Sequence, residues 1–271
     1  MFGSESSHGR RGARRGGGRL WIGVGVLALA VTSAVAAGGS ASARKGEPHV
    51  PPGNPAPKGR LIDVQLLAFN DYHGHVKDEA AGTVAGVDAG GGEYLAAKLA
   101  ELRAGNDYSL TVTAGDLIGG SPAFSGLFRD EPSVESLNAM GLDISGVGNH
   151  EFDEGVTELL RMQHGGCHPD DGCFFPDEPY AGADFQWLSA NVVEEATGET
   201  PLPPYQIRQF KGVKVAFIGM TLEATDTLVA AAGIEGYDFL DEAETANALV
   251  PILKAQKVES IVVLLLSLIH I

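Results

Sequence analysis

Three short polar clusters carry the residue types that hold cations and move protons. They are Asn70-Asp71-Tyr72-His73-Gly74-His75, Gly115-Asp116 ahead of Gly119-Gly120-Ser121-Pro122, and Gly148-Asn149-His150-Glu151-Phe152-Asp153. Asp71 and His73 stand two residues apart just past a strand-like run, so a carboxylate and an imidazole could meet on one cation. Asp116 is a lone carboxylate that could bridge two cations roughly 3.5–4 Å apart, the usual two-metal separation. Asn149 and His150 complete the third cluster. Oxygen and imidazole donors without thiolates suit Mg²⁺, Mn²⁺, Fe²⁺, Co²⁺ or Zn²⁺. A pair of such ions activates a water and neutralises a phosphoryl oxygen.

Each cluster also has an ordinary explanation. An Asp after a strand is usually a turn former. Asn149 could cap a helix whose first turn holds Glu151 and Asp153, carboxylates that favour the helix dipole. A lone His is more often a surface or hydrogen-bonded residue than a ligand, and His75, His164 and His168 are read that way. Recurrence at three successive strand ends is what favours one shared site.

The elements that must position these clusters alternate between strand and helix. Val64–Phe69, Leu110–Ala114 and Ile144–Val147 read as strands, each ending in one of the clusters. Thr83–Gly92 reads as a Gly-rich loop. Glu93–Arg103 has Leu95, Leu99 and Leu102 at helical spacing, Pro132–Met140 reads as a short helix closed by Gly141, and Glu154–Gln163 is helical. Trp187–Val192 reads as one strand, and Tyr205–Phe210 with Val213–Met220 as a hairpin turned at Lys211-Gly212. Asp241–Gln256 is expected to be helical despite Pro251, and Ser260–Leu265 a buried strand. This alternation predicts an α/β domain with active residues at the carboxyl ends of its strands.

The three clusters resemble, in order and spacing, the first signature blocks of the 5′-nucleotidase family of calcineurin-like metallophosphoesterases. The similarity spans roughly residues 61–265, and Gly148–Asp153 is its most specific part. Tyr72 departs from the Leu often found after the first Asp. The resemblance implies a four-layer α-β-β-α sandwich. It implies that Asp71 and His73 hold a first divalent metal, that Asp116 bridges to a second, and that Asn149 binds the second. The ions are of the Mn, Zn, Mg, Ca, Fe or Co kind. His150 is implied to lie outside the ligand set, stabilising the transition state or protonating the leaving oxygen, with Asp153 orienting it. A nearby carboxylate also raises a His pKa on physical grounds alone.

The activity implied is hydrolysis of nucleoside 5′-monophosphates by metal-activated water. Alternatives within the family are a 2′,3′-cyclic-nucleotide phosphodiesterase with 3′-nucleotidase activity and a UDP-sugar hydrolase. The alternative of another class is a non-catalytic exported metal-binding surface protein. The family completes its metal site with later histidines and adds a C-terminal nucleotide-binding domain. Here Ser260–Leu265 runs into Leu266-Ser267-Leu268-Ile269-His270-Ile271, expected to be a non-native tail. The chain therefore reads as a truncated record with an incomplete metal pair and little activity of its own, and His270 is not assigned.

Charge and leader set the compartment. Of 271 residues, 1–60 hold nine Lys/Arg and two Asp/Glu, which leaves ten basic and 33 acidic residues in 61–271. So acidic a domain is a poor nucleic-acid binder by bulk electrostatics, and the expected partner is a small nucleotide. Residues 1–43 read as a signal peptide: five arginines between Arg10 and Arg19, an apolar stretch Leu20–Ala37, and Ala41-Ser42-Ala43 before Arg44. Its removal would leave no membrane span and an exported protein, extracellular, periplasmic or cell-wall associated. Residues 44–60 read as a Pro/Gly-rich linker. The only cysteines, Cys167 and Cys173, lie in a Gly/Pro/Asp-rich loop and are expected to form a disulfide.

Overall fold

The computed structural model describes residues 61–77 and 82–267; the expected leader and linker lie outside them, as do four residues of the expected tail. Its strands are β1 (Gln65–Phe69), β2 (Gly82–Val84), β3 (Val87–Ala89), β4 (Ser109–Thr113), β5 (Ile144–Gly146), β6 (Gln186–Leu188), β7 (Val192–Glu194), β8 (Tyr205–Phe210), β9 (Val213–Met220), β10 (Tyr237–Phe239) and β11 (Ser260–Leu265). Its helices are α1 (Gly92–Arg103), α2 (Ala123–Gly126), α3 (Glu131–Met140), α4 (Val156–His164) and α5 (Glu242–Ala255).

Two sheets form the centre. One runs β1-β4-β5-β6, with every neighbouring pair parallel. The other runs β11-β9-β8, with β11 parallel and β8 antiparallel to β9. Side chains alternate across a strand, so each sheet has two apolar faces to bury. Leu110, Val112, Ile144 and Leu188 of the first sheet meet Phe210, Val215, Phe217 and Leu264 of the second in one cluster. The first sheet's other face packs Leu67 and Trp187 against Leu99 of α1, Val134 and Leu137 of α3, and Leu159 and Met162 of α4. The second sheet's other face packs Ala216, Ile218 and Met220 against Leu253 of α5. The result is the expected four-layer α-β-β-α sandwich.

Four local expectations need correction. Ser260–Leu265 is a strand but not a buried one: β11 lies at the edge of its sheet, and of its residues only Leu264 is buried. Trp187–Val192 is not one strand: it divides into β6 in the first sheet and β7, which pairs with β10 instead. Ser189 and Ala190 leave the first sheet, donating to Pro203 O and Gly219 O. The Gly-rich stretch before α1 contains a small antiparallel hairpin, β2-β3. Between β5 and α4 the chain makes a 3-10 turn, His150–Phe152, so the helix starts at Val156 and Asn149 makes no side-chain cap.

The β8-β9 hairpin turns at Lys211-Gly212, with φ of 46° and 94°. α5 runs through Pro251, and the Asp241 carboxylate accepts the Glu244 N–H at its start. No described helix is long and apolar enough to cross a membrane.

Candidate metal centre

The loops that follow β1, β4 and β5 converge at the carboxyl ends of those three neighbouring strands. The first two are zipped together by backbone bonds: Asp71 N–H to Gly115 O at 3.2 Å, His73 N–H to Asp116 O at 3.1 Å and Gly74 N–H to Leu117 O at 3.2 Å. This close pairing forces unusual backbone. Asp71, His73 and Asp116 all have positive φ, at 56°, 44° and 55°. Each such non-glycine residue costs on the order of 1–3 kcal/mol, which the surrounding bonds must offset. The third loop enters through Gly148, where a Cβ would stand 2.1 Å from Asp116 Oδ1.

His73, Asp116 and His150 come together, with one donor atom from each lying within 4.8 Å of the others. His73 Nδ1 is 2.7 Å from the Gly119 carbonyl. A carbonyl only accepts, so that nitrogen carries the hydrogen and Nε2 of the neutral ring keeps its lone pair, 3.9 Å from Asp116 Oδ2. A backbone carbonyl holding the second ring nitrogen is the usual way to orient a metal-binding histidine. Asp116 is buried, and its Oδ1 accepts the His150 N–H at 3.1 Å. Burial raises its carboxyl above the ordinary range against the pull of His150 and His73, and the nearby Asp71 charge raises it further. Two imidazole nitrogens around a desolvated carboxylate make a donor set that fits a divalent cation.

Asp71 lies on the same loop but outside that three-residue cluster; its carboxylate is exposed and takes a hydrogen bond from Asn70 Nδ2 at 2.5 Å. Asn149 is buried one residue before the 3-10 turn. The His150 ring stands edge-on to His73, with centroids 4.8 Å apart at 82°. Its Nδ1 lies 2.8 Å from Asp153 Oδ2. Burial pulls the His150 pKa down, but the Asp153 hydrogen bond, helped by the charges of Asp153, Asp116 and Glu151, raises it overall. His150 and Asp153 border a cavity of about 150 Å³ with Gly119, Gly120, Ser121 and Arg129.

Two acids escaped the sequence reading. Glu151 was visible only as first-turn charge, yet it is 2% exposed and accepts three backbone N–H bonds, from Asp116 (2.9 Å), Leu117 (2.8 Å) and Gly148 (2.7 Å). Burial first, and then the Asp116 charge, push its carboxyl up to about 8 against the pull of those three donors. Asp130 takes the Gly119 N–H at 2.9 Å and the Ser125 hydroxyl at 2.7 Å, which fixes the loop whose carbonyl holds His73. No spacing rule pointed to it.

The wall beyond Asp130 is tied down in turn. Cys167 and Cys173 are disulfide-bonded, with Cα atoms 4.4 Å apart. Asp171 within that loop accepts from Arg129 Nε and Nη2 at 2.9 and 2.6 Å, while Arg129 Nη1 reaches Glu154 at 2.6 Å. Phe128 meets Phe174 edge-on at 5.3 Å. Behind them Arg161 is buried, paired bidentately with Glu158 (2.8 and 2.7 Å) and with Glu131 (2.7 Å). His164 closes α4, and His168 accepts from the Asp171 N–H at 3.1 Å, so neither joins the cluster.

An α-β-β-α sandwich with imidazoles and carboxylates gathered at parallel strand ends defines the calcineurin-like metallophosphoesterase class. No family model matches the chain. Among curated proteins it is 41% identical over 209 residues to Endonuclease YhcR of Bacillus subtilis, covering 75% of this chain and 17% of that protein. It is 38% identical over 214 residues to Cell wall protein Lmo0130 of Listeria monocytogenes, covering 75% and 27%. It is 31% identical over 192 residues to a 5′-nucleotidase of Vibrio vulnificus, covering 70% and 31%. The solved structure of a 5′-nucleotidase precursor from Thermus thermophilus superposes with a TM-score of 0.59 at 26% identity, over 74% of this chain and 36% of that one. The chain thus spans about a third or less of each of these relatives. It belongs to the 5′-nucleotidase family of calcineurin-like metallophosphoesterases, a family of hydrolytic enzymes whose fold implies divalent metal ions.

Proposed function

We propose that residues 61–265 form the metal-binding part of an exported phosphoester hydrolase, a 5′-nucleotidase that releases phosphate from nucleoside 5′-monophosphates. The observation that carries this reading is the His150–Asp153 pair set beside His73 and Asp116: Asp153 stands outside the grouped donor residues, and its hydrogen bond orients the His150 ring as a proton donor needs. In this reading Asp71, His73 and Asp116 hold one divalent ion and Asp116 with Asn149 hold a second. The remaining ligands and a nucleoside-binding domain belong to sequence beyond residue 265. Bound divalent ions would supply Lewis acidity and lower the pKa of a coordinated water. His150, kept oriented and more basic by Asp153, donates its Nε2 proton to the departing ribose oxygen. The Arg-rich, apolar leader and the disulfide support export.

The test is phosphate release by the full-length gene product, loaded with Mn²⁺, Mg²⁺, Zn²⁺ or Ca²⁺, from AMP, cyclic nucleotides and UDP-glucose. Metal-dependent release from AMP in preference to the others is the expected result. No release from any of them overturns the hydrolase reading.

A second reading rests on the relative named an endonuclease, which is more similar to this chain than the 5′-nucleotidase reported above. Cleavage of single-stranded DNA at a rate exceeding AMP hydrolysis would favour it. The strongly acidic domain counts against a polyanionic substrate.

A further inference from the structure

Glu151 has an unusual place for a carboxylate. It is buried, and among the described residues its hydrogen bonds come from backbone N–H groups alone, with no Lys, Arg or His paired to it. Oε2 takes the N–H groups of Asp116 and Gly148, and Oε1 takes that of Leu117. The donors thus come from two different loops, those after β4 and β5. The bond to Asp116 has a counterpart in the opposite direction, since Asp116 Oδ1 accepts the N–H of His150, the residue beside Glu151. Main chain and side chain are exchanged between the two loops. The residue gripped in this way is Asp116, whose backbone is in the left-handed region that a non-glycine residue leaves when nothing holds it.

We propose that Glu151 is a positioning residue for the cation site, holding the Asp116 carboxylate toward His73 by clamping the backbone of both ligand loops. The inference rests on the metal reading above. A neutral isostere cannot do the same work. In Glu151→Gln one oxygen becomes an NH₂ group, which faces a backbone N–H and repels it. Either Leu117 or the Asp116–Gly148 pair loses its acceptor. Asp116 then relaxes from positive φ, and its carboxylate turns away from His73 Nε2.

The experiment is calorimetric titration of this chain with Mn²⁺, comparing wild type, Glu151→Gln and a control, Glu131→Gln, which weakens the buried Arg161 network instead. Mutation of groups that orient metal ligands typically costs about 10–100-fold in affinity. Glu151→Gln should lose that much Mn²⁺ affinity, and its Co²⁺ absorption spectrum at saturation should change. Glu131→Gln should melt at a lower temperature with unaltered Mn²⁺ affinity, which separates positioning from general destabilisation. Wild-type binding with equal affinity in Glu151→Gln overturns this inference alone. Absence of Mn²⁺ binding by wild type overturns the inference that this chain holds a cation through Asp116 and His73, while the full-length assay above decides the hydrolase reading separately. Should Glu151→Gln fail to fold, amide exchange in the wild type decides: the Asp116, Leu117 and Gly148 amides should exchange as slowly as those of β4, and exchange at open-loop rates overturns the proposal.

Discussion

Nδ1 of His150 lies 2.8 Å from Oδ2 of Asp153, one turn further along the same 3-10 segment. The carboxylate can only accept from that nitrogen, so Nε2 is the one presented to the cleft. In the full-length protein, His150→Ala should lower kcat about 10²-fold or more, the usual scale for a lost general acid. Asp153→Asn should lower it less, since the amide oxygen still accepts the hydrogen bond without the charge. Metal content by mass spectrometry should match wild type in both. Loss of metal in His150→Ala would make His150 a ligand and overturn its assignment as the acid.

Arg129 ties the disulfide loop to the wall of the same cavity, and this tie depends on pH. Hydrogen bonding to Arg129 holds the Asp171 carboxyl below its ordinary value of 3.8, with the Arg129 and His168 charges adding to the effect. A carboxyl depressed in the folded state contributes stability that is fully present above the unfolded pKa. That contribution is lost as pH falls through the folded value. Carboxyl ¹³C titration should therefore place Asp171 below 3.8 in wild type and return it toward that value in Arg129→Gln. An unchanged Asp171 titration would show that the pair does not persist in solution.

How much of this site was legible in the sequence follows from what each residue does. Asp71, His73, Asp116, Asn149 and His150 stand out because strand ends rarely gather such types, and the strands ahead of them are short apolar runs. Glu151 was hidden because its partners are backbone N–H groups of loops 35 and 34 residues away, and a Glu after His looks like helix-start charge. Asp130 was hidden for the same reason, since it acts on Gly119 N–H and not on another side chain. The division of Trp187–Val192 was invisible because every residue of the stretch is buried and the break lies in where its backbone bonds go. The Ser189 and Ala190 N–H groups leave the first sheet, and Val192 pairs with Phe239.

Arg161 marks the other side of the cavity wall, where α3 and α4 meet. Its side chain is 7% exposed, and its guanidinium neutralises Glu131 and Glu158 together. Arg161→Met keeps the volume but leaves two carboxylates desolvated and unpaired. Breaking a buried pair from one side costs about 3–5 kcal/mol. The expected result is a drop of that size in urea unfolding free energy. Adding Glu131→Gln and Glu158→Gln to the same protein should recover part of it. A loss under about 1 kcal/mol, the scale of an exposed pair, would mean that water reaches the cluster.

Gly148 offers the sharpest separation between fold and site. A Cβ there would lie 2.1 Å from Asp116 Oδ1 and 2.8 Å from Asp116 N, and a Cβ on the facing Gly115 would lie 2.2 Å from Gly148 N. The added methyl meets the Asp116 carboxylate first and the Asp116 backbone just behind it, so the clash falls on the proposed ligand itself. Gly148→Ala must push the Asp116 loop outward, at about 1–3 kcal/mol of overpacking. It should also displace the carboxylate from His73 and weaken Mn²⁺ binding by this chain about 10-fold or more. Gly198 is the contrast. Its φ is +71° but nothing lies within 4 Å of a Cβ there, so Gly198→Ala meets only backbone strain. That strain costs about 1–2 kcal/mol. Both variants should lower the melting temperature, but only Gly148→Ala should lower Mn²⁺ affinity. Equal affinity in the two variants would show that the Asp116 loop absorbs the added methyl without moving its carboxylate.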